Sequence, residues 1–187
     1  MTLTNSPLAK SLWKFANNFV EQYKKIHACL PVVEIDESWP SVCQQTELDE
    51  KNIHWQPTPS PEDLSFENIE TALEMTLHQD FKTYFSTFFS ELIDAESEDG
   101  RLSLLFAWNL DDFQRLQENL IGHVLMKKRL KQEISLFFAV TDEEDMILSV
   151  MNDSGEVWVE RVGCEPHKKL ANTLSEFIDQ LNPVIAP

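Results

Sequence analysis

The sequence predicts an α+β fold: one domain, residues 1–187, in which a mostly antiparallel or mixed sheet has helices packed against it. Two long segments repeat apolar residues every three or four positions, which is the period of a helix. The C-terminal half contains short alternating segments joined by turns, as antiparallel strands do. Apolar residues make up 42% of the chain and aromatic residues 10%, so the chain can form a core of its own.

The first helix is predicted over residues 7–28. Its apolar residues recur at spacings of three and four, so they share one narrow stripe of the helix surface. Ser6 is a suitable N-cap, Pro7 suits the first helical position, and Pro31 ends the pattern.

Residues 31–65 are predicted to be irregular because they contain five prolines, which limit long helices and central strands. Short extended pieces are expected around residues 32–35 and 52–56. The tryptophans Trp39 and Trp55 require burial, so we interpret the segment as an ordered surface region and not as a linker.

The middle of the chain is predicted to be helical over 66–93, in one or two pieces. An acidic solvated turn is expected at 94–100 and a strand at 101–108. The apolar residues expected to share one face of the later helical piece are Phe81, Phe85, Phe88 and Leu92.

The clearest helix is predicted over residues 110–131. Asn109 can cap it, and its last turn is rich in Lys and Arg, which we interpret as charges that complement the helix dipole. Gly122 is unfavourable inside a helix and suggests close packing there. The core stripe is expected to consist of Phe113, Leu116, Leu120 and Val124.

Three strands are predicted in the C-terminal part, at 134–140, 146–151 and 156–160. The connections between them are short, so they should form antiparallel hairpins. A last helix is expected over about 167–181, with a buried stripe of Leu170, Leu174, Phe177 and Leu181.

Charge is distributed unevenly along the chain. The formal net charge is −17, and residues 30–100 contain 17 acidic and two basic residues, whereas residues 1–29 carry a net charge of +3. Such a field repels nucleic acid and anionic lipid and attracts a basic partner, although it also serves solubility. The candidate partner-binding carboxylates, which lie in the irregular segment, are Glu34, Asp36, Glu37, Glu47, Asp49 and Glu50.

Enzyme motifs are absent from the sequence. The chain has four glycines and no phosphate-binding loop, its histidines never occur at the i, i+4 spacing of paired metal ligands, and its three cysteines are scattered. We therefore predict a non-catalytic protein without a cofactor or metal. A structural role is favoured for His123 over a catalytic one, and a solvated hairpin turn is favoured over a cation site for residues 142–145.

Neither a signal peptide nor an apolar run long enough to span a bilayer is visible. We expect a cytosolic protein whose contact with a membrane is peripheral.

A recognisable pattern of short motifs runs through residues 53–187 in a fixed order. The longest motif is Asp-Asp-Phe-Gln-Arg-Leu-Gln-Glu-Asn-Leu-Ile-Gly-His at 111–123. The others are Trp-Gln-Pro at 55–57, Ser-Gly-Glu-Val at 154–157, and the spaced Leu, Ala, Glu, Phe and Gln residues of 170–181. In these motifs the chain resembles the Syd family of bacterial SecY-interacting proteins.

The resemblance implies a cytosolic protein that associates peripherally with the inner membrane by binding SecY, and that monitors or restrains SecY that is not correctly assembled. It also implies the fold of the wider SUKH superfamily, which includes toxin-immunity proteins, and a concave electronegative binding surface. The charge agrees in sign, because cytosolic loops of membrane proteins are rich in Lys and Arg. The alternative is a toxin-immunity or DNA-mimic protein with a basic soluble partner. The oligomeric state stays open.

Overall fold

The fold is described by a computed structural model for residues 6–186, and within this range the chain forms five α-helices and twelve β-strands. The helices are α1 (Pro7–His27), α2 (Glu67–Leu73), α3 (Gln79–Thr87), α4 (Leu110–Leu130) and α5 (Leu174–Asp179). The strands are β1 (Val32–Glu34), β2 (Gln44–Glu47), β3 (Asn52–Trp55), β4 (Thr58–Pro59), β5 (Phe88–Phe89), β6 (Ile93–Ser97), β7 (Gly100–Leu104), β8 (Ser135–Thr141), β9 (Met146–Met151), β10 (Val157–Arg161), β11 (Lys168–Ala171) and β12 (Asn182–Pro183).

The largest element is a seven-stranded sheet in the order β11-β10-β9-β8-β7-β6-β12. Every neighbouring pair in it is antiparallel. The predicted α+β class with a mostly antiparallel sheet is therefore confirmed.

Helices cover the centre of this sheet on both sides of β8. The ring of Phe137 lies 5.4 Å from that of His123 on α4, whereas the ring of Phe138 lies 5.5 Å from that of Tyr84 on α3 and 5.8 Å from that of Phe177 on α5. Because β8 and its neighbour β9 lie between helices, nearly every residue of β9 is buried.

The first helix begins and ends where the sequence predicts. The Ser6 hydroxyl accepts a hydrogen bond from the Ala9 amide at 3.0 Å, Pro7 occupies the first turn, and Ala28 closes the helix in the left-handed conformation, with φ 58°. The buried stripe of α1 packs against α3 and α5.

The long central helix is also confirmed. The Asn109 side chain accepts a hydrogen bond from the Asp112 amide at 2.9 Å, and Phe113, Leu120 and Val124 are buried. The close packing suggested for Gly122 is wrong, because a Cβ placed there would have no neighbouring heavy atom within 4 Å.

The segment 66–93 forms α2 and α3 but leaves the helical conformation earlier than expected. After Thr87 the chain becomes extended, and Phe88 pairs with Pro59 in the small sheet of β4 and β5. Phe88 is buried there, whereas Leu92 is 51% exposed. The prediction that Phe88 and Leu92 lie on this helical face is therefore wrong. Pairing with a segment distant in the sequence replaces the helix at this point.

The acidic turn predicted at 94–100 is mostly strand. Strands β6 and β7 form a hairpin in which Ser97 pairs with Gly100, so the turn itself consists of Glu98 and Asp99. In β6 the buried Ile93 and Ala95 alternate with exposed carboxylates. This alternation is typical of a half-buried strand, but the many acidic residues make the segment resemble a solvated turn in the sequence.

The predicted C-terminal helix is shorter than expected. Residues 168–171 form β11, which pairs with β10, and Thr173 then caps the short helix α5. Leu174 and Phe177 are buried on α5 as the stripe predicts. Leu170 belongs to the strand, because the open edge of β10 gives this segment a hydrogen-bonding partner.

Candidate functional site

The irregular proline-rich segment forms a three-stranded antiparallel sheet in the order β1-β3-β2. The two extended pieces predicted from sequence are β1 and β3, and β2 was not predicted. Val33 pairs with Ile53 across β1 and β3, and Glu47 pairs with the same Ile53 across β2 and β3. Both outer strands therefore run toward the end of the sheet where β3 begins.

This pairing brings together the two groups of carboxylates that the sequence singles out. Glu34 lies opposite Asn52, the first residue of β3, and the Leu48 amide donates to the Asn52 carbonyl at 2.9 Å. The chain reaches Asp36 directly after β1 and Asp49 directly after β2. We name this region the acidic sheet end. Its members, all exposed, are Glu34, Asp36, Glu37, Glu47, Asp49 and Glu50.

Two of these carboxylates hold the loops in place. The Asp36 carboxylate accepts hydrogen bonds from the Ser38 hydroxyl at 2.6 Å and the Ser38 amide at 2.9 Å, which lower its pKa. Hydrogen bonds from the Asn52 side chain and the Lys51 amide likewise lower the pKa of Asp49. Both groups therefore stay ionised at neutral pH.

The other four carboxylates point to solvent without an ionic partner. Between residues 6 and 186, no Lys, Arg or His nitrogen lies within 4.0 Å of the carboxylates of Glu34, Glu37, Glu47 or Glu50. Their charge is available to a partner.

The acidic sheet end is anchored to the body of the protein through the segment that follows it. Trp39 packs under the Arg115 guanidinium, whose carbon lies 4.1 Å from the ring centroid. The indole nitrogen of Trp108 donates to the Trp39 carbonyl at 3.1 Å, and the Asn109 side chain donates to the Pro40 carbonyl at 2.8 Å. These contacts tie the loop after β1 to the start of α4, so the carboxylates are held on a fixed framework.

A second group of carboxylates lines a shallow pocket of about 300 Å³ beside the β9–β10 turn. Its lining includes Glu133, Asp153, Glu156 and Glu165, together with Trp158. These residues come from three different connections in the chain, so the sequence carries no signal that they converge. We name this feature the acidic pocket.

One member of the acidic pocket is neutralised internally. Hydrogen bonds from the Lys169 ammonium and the Trp158 indole lower the pKa of Glu156, and Lys169 also forms an ion pair with it. Within residues 6–186, three of the four carboxylates of this pocket have no cationic partner within 4.0 Å, whereas all six of the acidic sheet end lack one.

Lys127, one of the basic residues in the last turn of α4, does not face solvent. Its ammonium group is completely buried, 2.6 Å from the Glu160 carboxylate and 2.8 Å from the Cys164 carbonyl. Ser135 and Ser149 donate to the other oxygen of Glu160 at 2.7 and 2.8 Å. The partner of the lysine lies 33 positions away in the chain, so helix periodicity could not reveal it.

His123 lies at the margin of this buried polar network. Its Nε2 is 3.2 Å from the Ser135 hydroxyl and 3.5 Å from Glu160, and burial lowers its pKa despite the nearby carboxylate. These contacts join α4 to β8 and β10, which is the structural role that the sequence favours.

Residues 6–186 contain no group of three or more His, Cys, Asp or Glu side chains placed to hold a metal ion. In the same range, no helix has both the length and the apolar composition required to cross a bilayer.

Fold and surface together define an α+β protein whose distinctive feature is a set of exposed carboxylates on a small accessory sheet. Residues 9–183 match the family model described as Syd protein (SUKH-2). The chain is 54% identical to a protein named Protein Syd from Colwellia psychrerythraea, over 97% of this chain and 95% of that relative. A Protein Syd from Alteromonas mediterranea is 44% identical, over 96% of this chain and 98% of the relative. The chain therefore belongs to the Syd family.

Proposed function

We propose that this protein is a non-catalytic binding protein that docks on the basic cytosolic loops of SecY, on the cytoplasmic side of the bacterial inner membrane. Its role there is to monitor or restrain SecY that is not correctly assembled. The proposal combines membership of the Syd family with the observation that carries the binding mode, namely the six exposed carboxylates of the acidic sheet end.

Electrostatics explains how such a surface works. Cytosolic loops of membrane proteins are enriched in Lys and Arg, and a negative surface increases their rate of encounter over about 8 Å at physiological ionic strength. Each exposed pair contributes only ~0–1 kcal/mol. Binding therefore depends on several carboxylates acting together, and one substitution is expected to have little effect.

The test reverses several charges at once. Glu34, Glu37, Glu47 and Glu50 are changed to Lys, while Asp36 and Asp49 are kept because they hydrogen-bond to the loop backbone. The matched control changes the four acidic residues of the β8–β9 turn, 142–145, to Lys and alters the net charge by the same amount. Binding to detergent-solubilised SecY is measured from low to high salt, after thermal melts show that both variants are folded.

The expected result is loss of SecY binding in the first variant and near-normal binding in the control. Equal loss in both variants would show that total charge, and not the acidic sheet end, drives binding. A third variant, with Glu133, Asp153 and Glu165 changed to Lys, tests the acidic pocket. If this variant alone loses binding, the site has been assigned to the wrong surface. Capture of a soluble basic toxin in place of SecY would support the immunity-protein alternative.

A further inference from the structure

The exposed face of α1 carries the opposite charge from the rest of the molecule. Lys10, Lys14, Lys24 and Lys25 are all exposed, and a helical rotation of 100° per residue places them within an arc of about 100°. The opposite side of the helix is buried in the core through Leu8, Leu12, Phe15 and Phe19. We name these four lysines the basic stripe.

Most of the charge in the basic stripe is uncompensated within the protein. In residues 6–186, Lys14 is the one member that lies within 4.0 Å of a carboxylate, at 3.5 Å from Asp179, and this pair is largely exposed. Glu21 is the acidic residue of the same face of α1. A net positive ridge about 22 Å long therefore remains in a chain whose formal charge is −17.

The basic stripe is separated in space from the acidic sheet end. At the α1 end of the small sheet, the Trp55 amide donates to the Pro31 carbonyl at 2.8 Å, whereas Glu34 lies at the other end, opposite Asn52. The intervening strand is about 10 Å long, more than the Debye length of about 8 Å at physiological salt. A flat anionic surface against α1 is therefore screened from these carboxylates.

We propose that the basic stripe of α1 is a contact surface for anionic phospholipid headgroups. A convex helix ridge fits a flat layer of headgroups better than it fits a cleft. All four cations are lysines, whose hydrated and flexible point charges suit diffuse attraction to a charged layer, whereas arginine suits bidentate recognition of a single group. The contact holds α1 at the bilayer and leaves the acidic sheet end free for a protein partner.

The test uses the full-length protein and vesicles without any protein partner. Co-sedimentation is measured with vesicles of equal parts phosphatidylglycerol and phosphatidylcholine, and with vesicles of phosphatidylcholine alone. The variant is Lys10→Gln, Lys24→Gln and Lys25→Gln. The matched control is Lys51→Gln, Arg129→Gln and Lys131→Gln, which makes the same change in net charge at exposed positions outside α1. Thermal melts verify that both variants are folded.

Each lysine near an anionic membrane contributes about a five-fold increase in binding. We expect the wild type and the control to bind anionic vesicles at low salt, and the α1 variant to bind at least about ten-fold more weakly. The α1 variant should keep its affinity for detergent-solubilised SecY, so this test is independent of the proposed function.

Three outcomes would overturn the proposal. The first is a wild type that binds anionic vesicles no better than neutral ones, and the second is an equal loss in both variants. The third is self-association: sedimentation velocity would show that the wild type forms oligomers and the α1 variant does not, while both bind anionic vesicles equally well. The basic stripe would then contact the acidic sheet end of a second copy of the chain and not lipid.

Discussion

Replacing Lys127 by Met should be among the most destabilising single changes in this protein. The side chains of Lys127 and Glu160 are both fully buried, with the ammonium nitrogen 2.6 Å from the carboxylate oxygen. Removing the lysine leaves a buried carboxylate whose remaining donors are the Ser135 and Ser149 hydroxyls. Breaking a buried ion pair in this way costs about 3–5 kcal/mol of the free energy of unfolding.

Urea unfolding at neutral pH measures this loss directly, and a thermal melt should show a midpoint roughly 6–20 °C lower for a chain of this length. Arg129→Met is the matched control, because Arg129 is exposed in the same helical turn and its replacement should change stability by less than about 0.5 kcal/mol.

The decisive comparison is the double variant Lys127→Met with Glu160→Gln. Removing both charges leaves no unpaired ion in the core, so the double variant should recover most of the stability that Lys127→Met loses. Two results would refute the reasoning: a loss below about 1 kcal/mol in Lys127→Met, or a double variant as unstable as Lys127→Met alone. Either would mean that water or a local rearrangement reaches the pair.

Three further predictions concern single residues. Burial lowers the pKa of His123 in the folded protein below its ordinary 6.5, so the unfolded chain binds the proton more readily. Stability should fall as pH drops below about 6.5, and less steeply in His123→Gln, as urea melts across this range would show. Burial and the neighbouring Asp112 raise the pKa of Glu91, so its ionised form is disfavoured in the folded protein. The free energy of unfolding of Glu91→Gln should therefore exceed that of the wild type at pH 7, and the difference should disappear below the ordinary carboxyl pKa of 4.5, as urea melts at both pH values would show. Gly122→Ala should raise stability by about 0.5–1 kcal/mol in denaturant melts, because the added methyl group meets no neighbour; a decrease would reveal packing that the structure does not show.

Local patterns predict the elements whose stabilising contacts are close in sequence. The boundaries of α1 and α4 follow from apolar spacing and from the caps Ser6 and Asn109. The β8–β9 and β9–β10 hairpins follow from short connections between apolar runs. In these elements the hydrogen-bonding partner is the one that the local pattern indicates, so propensity and periodicity act in the same direction.

The same patterns fail where a helical pattern of apolar residues competes with pairing to another strand. Residues 168–171 carry part of a helical stripe, yet they pair with the open edge of β10. Phe88 leaves helical periodicity to pair with Pro59. In both places the backbone hydrogen bonds made with another strand outweigh a local preference of only a few tenths of a kcal/mol per residue, ~0.7 at most.

The sequence by itself determined the fold class, the acidic character of the chain and the six carboxylates that could meet a basic partner. The tertiary structure alone decided that those carboxylates lie at one end of a small sheet, because strand pairing sets Glu34 beside Asn52 and Glu47 beside Ile53. It also decided that Lys127 is buried while Lys10 and Lys24 face solvent. Whether water or a carboxylate solvates a lysine on an amphipathic helix depends on what packs against that face.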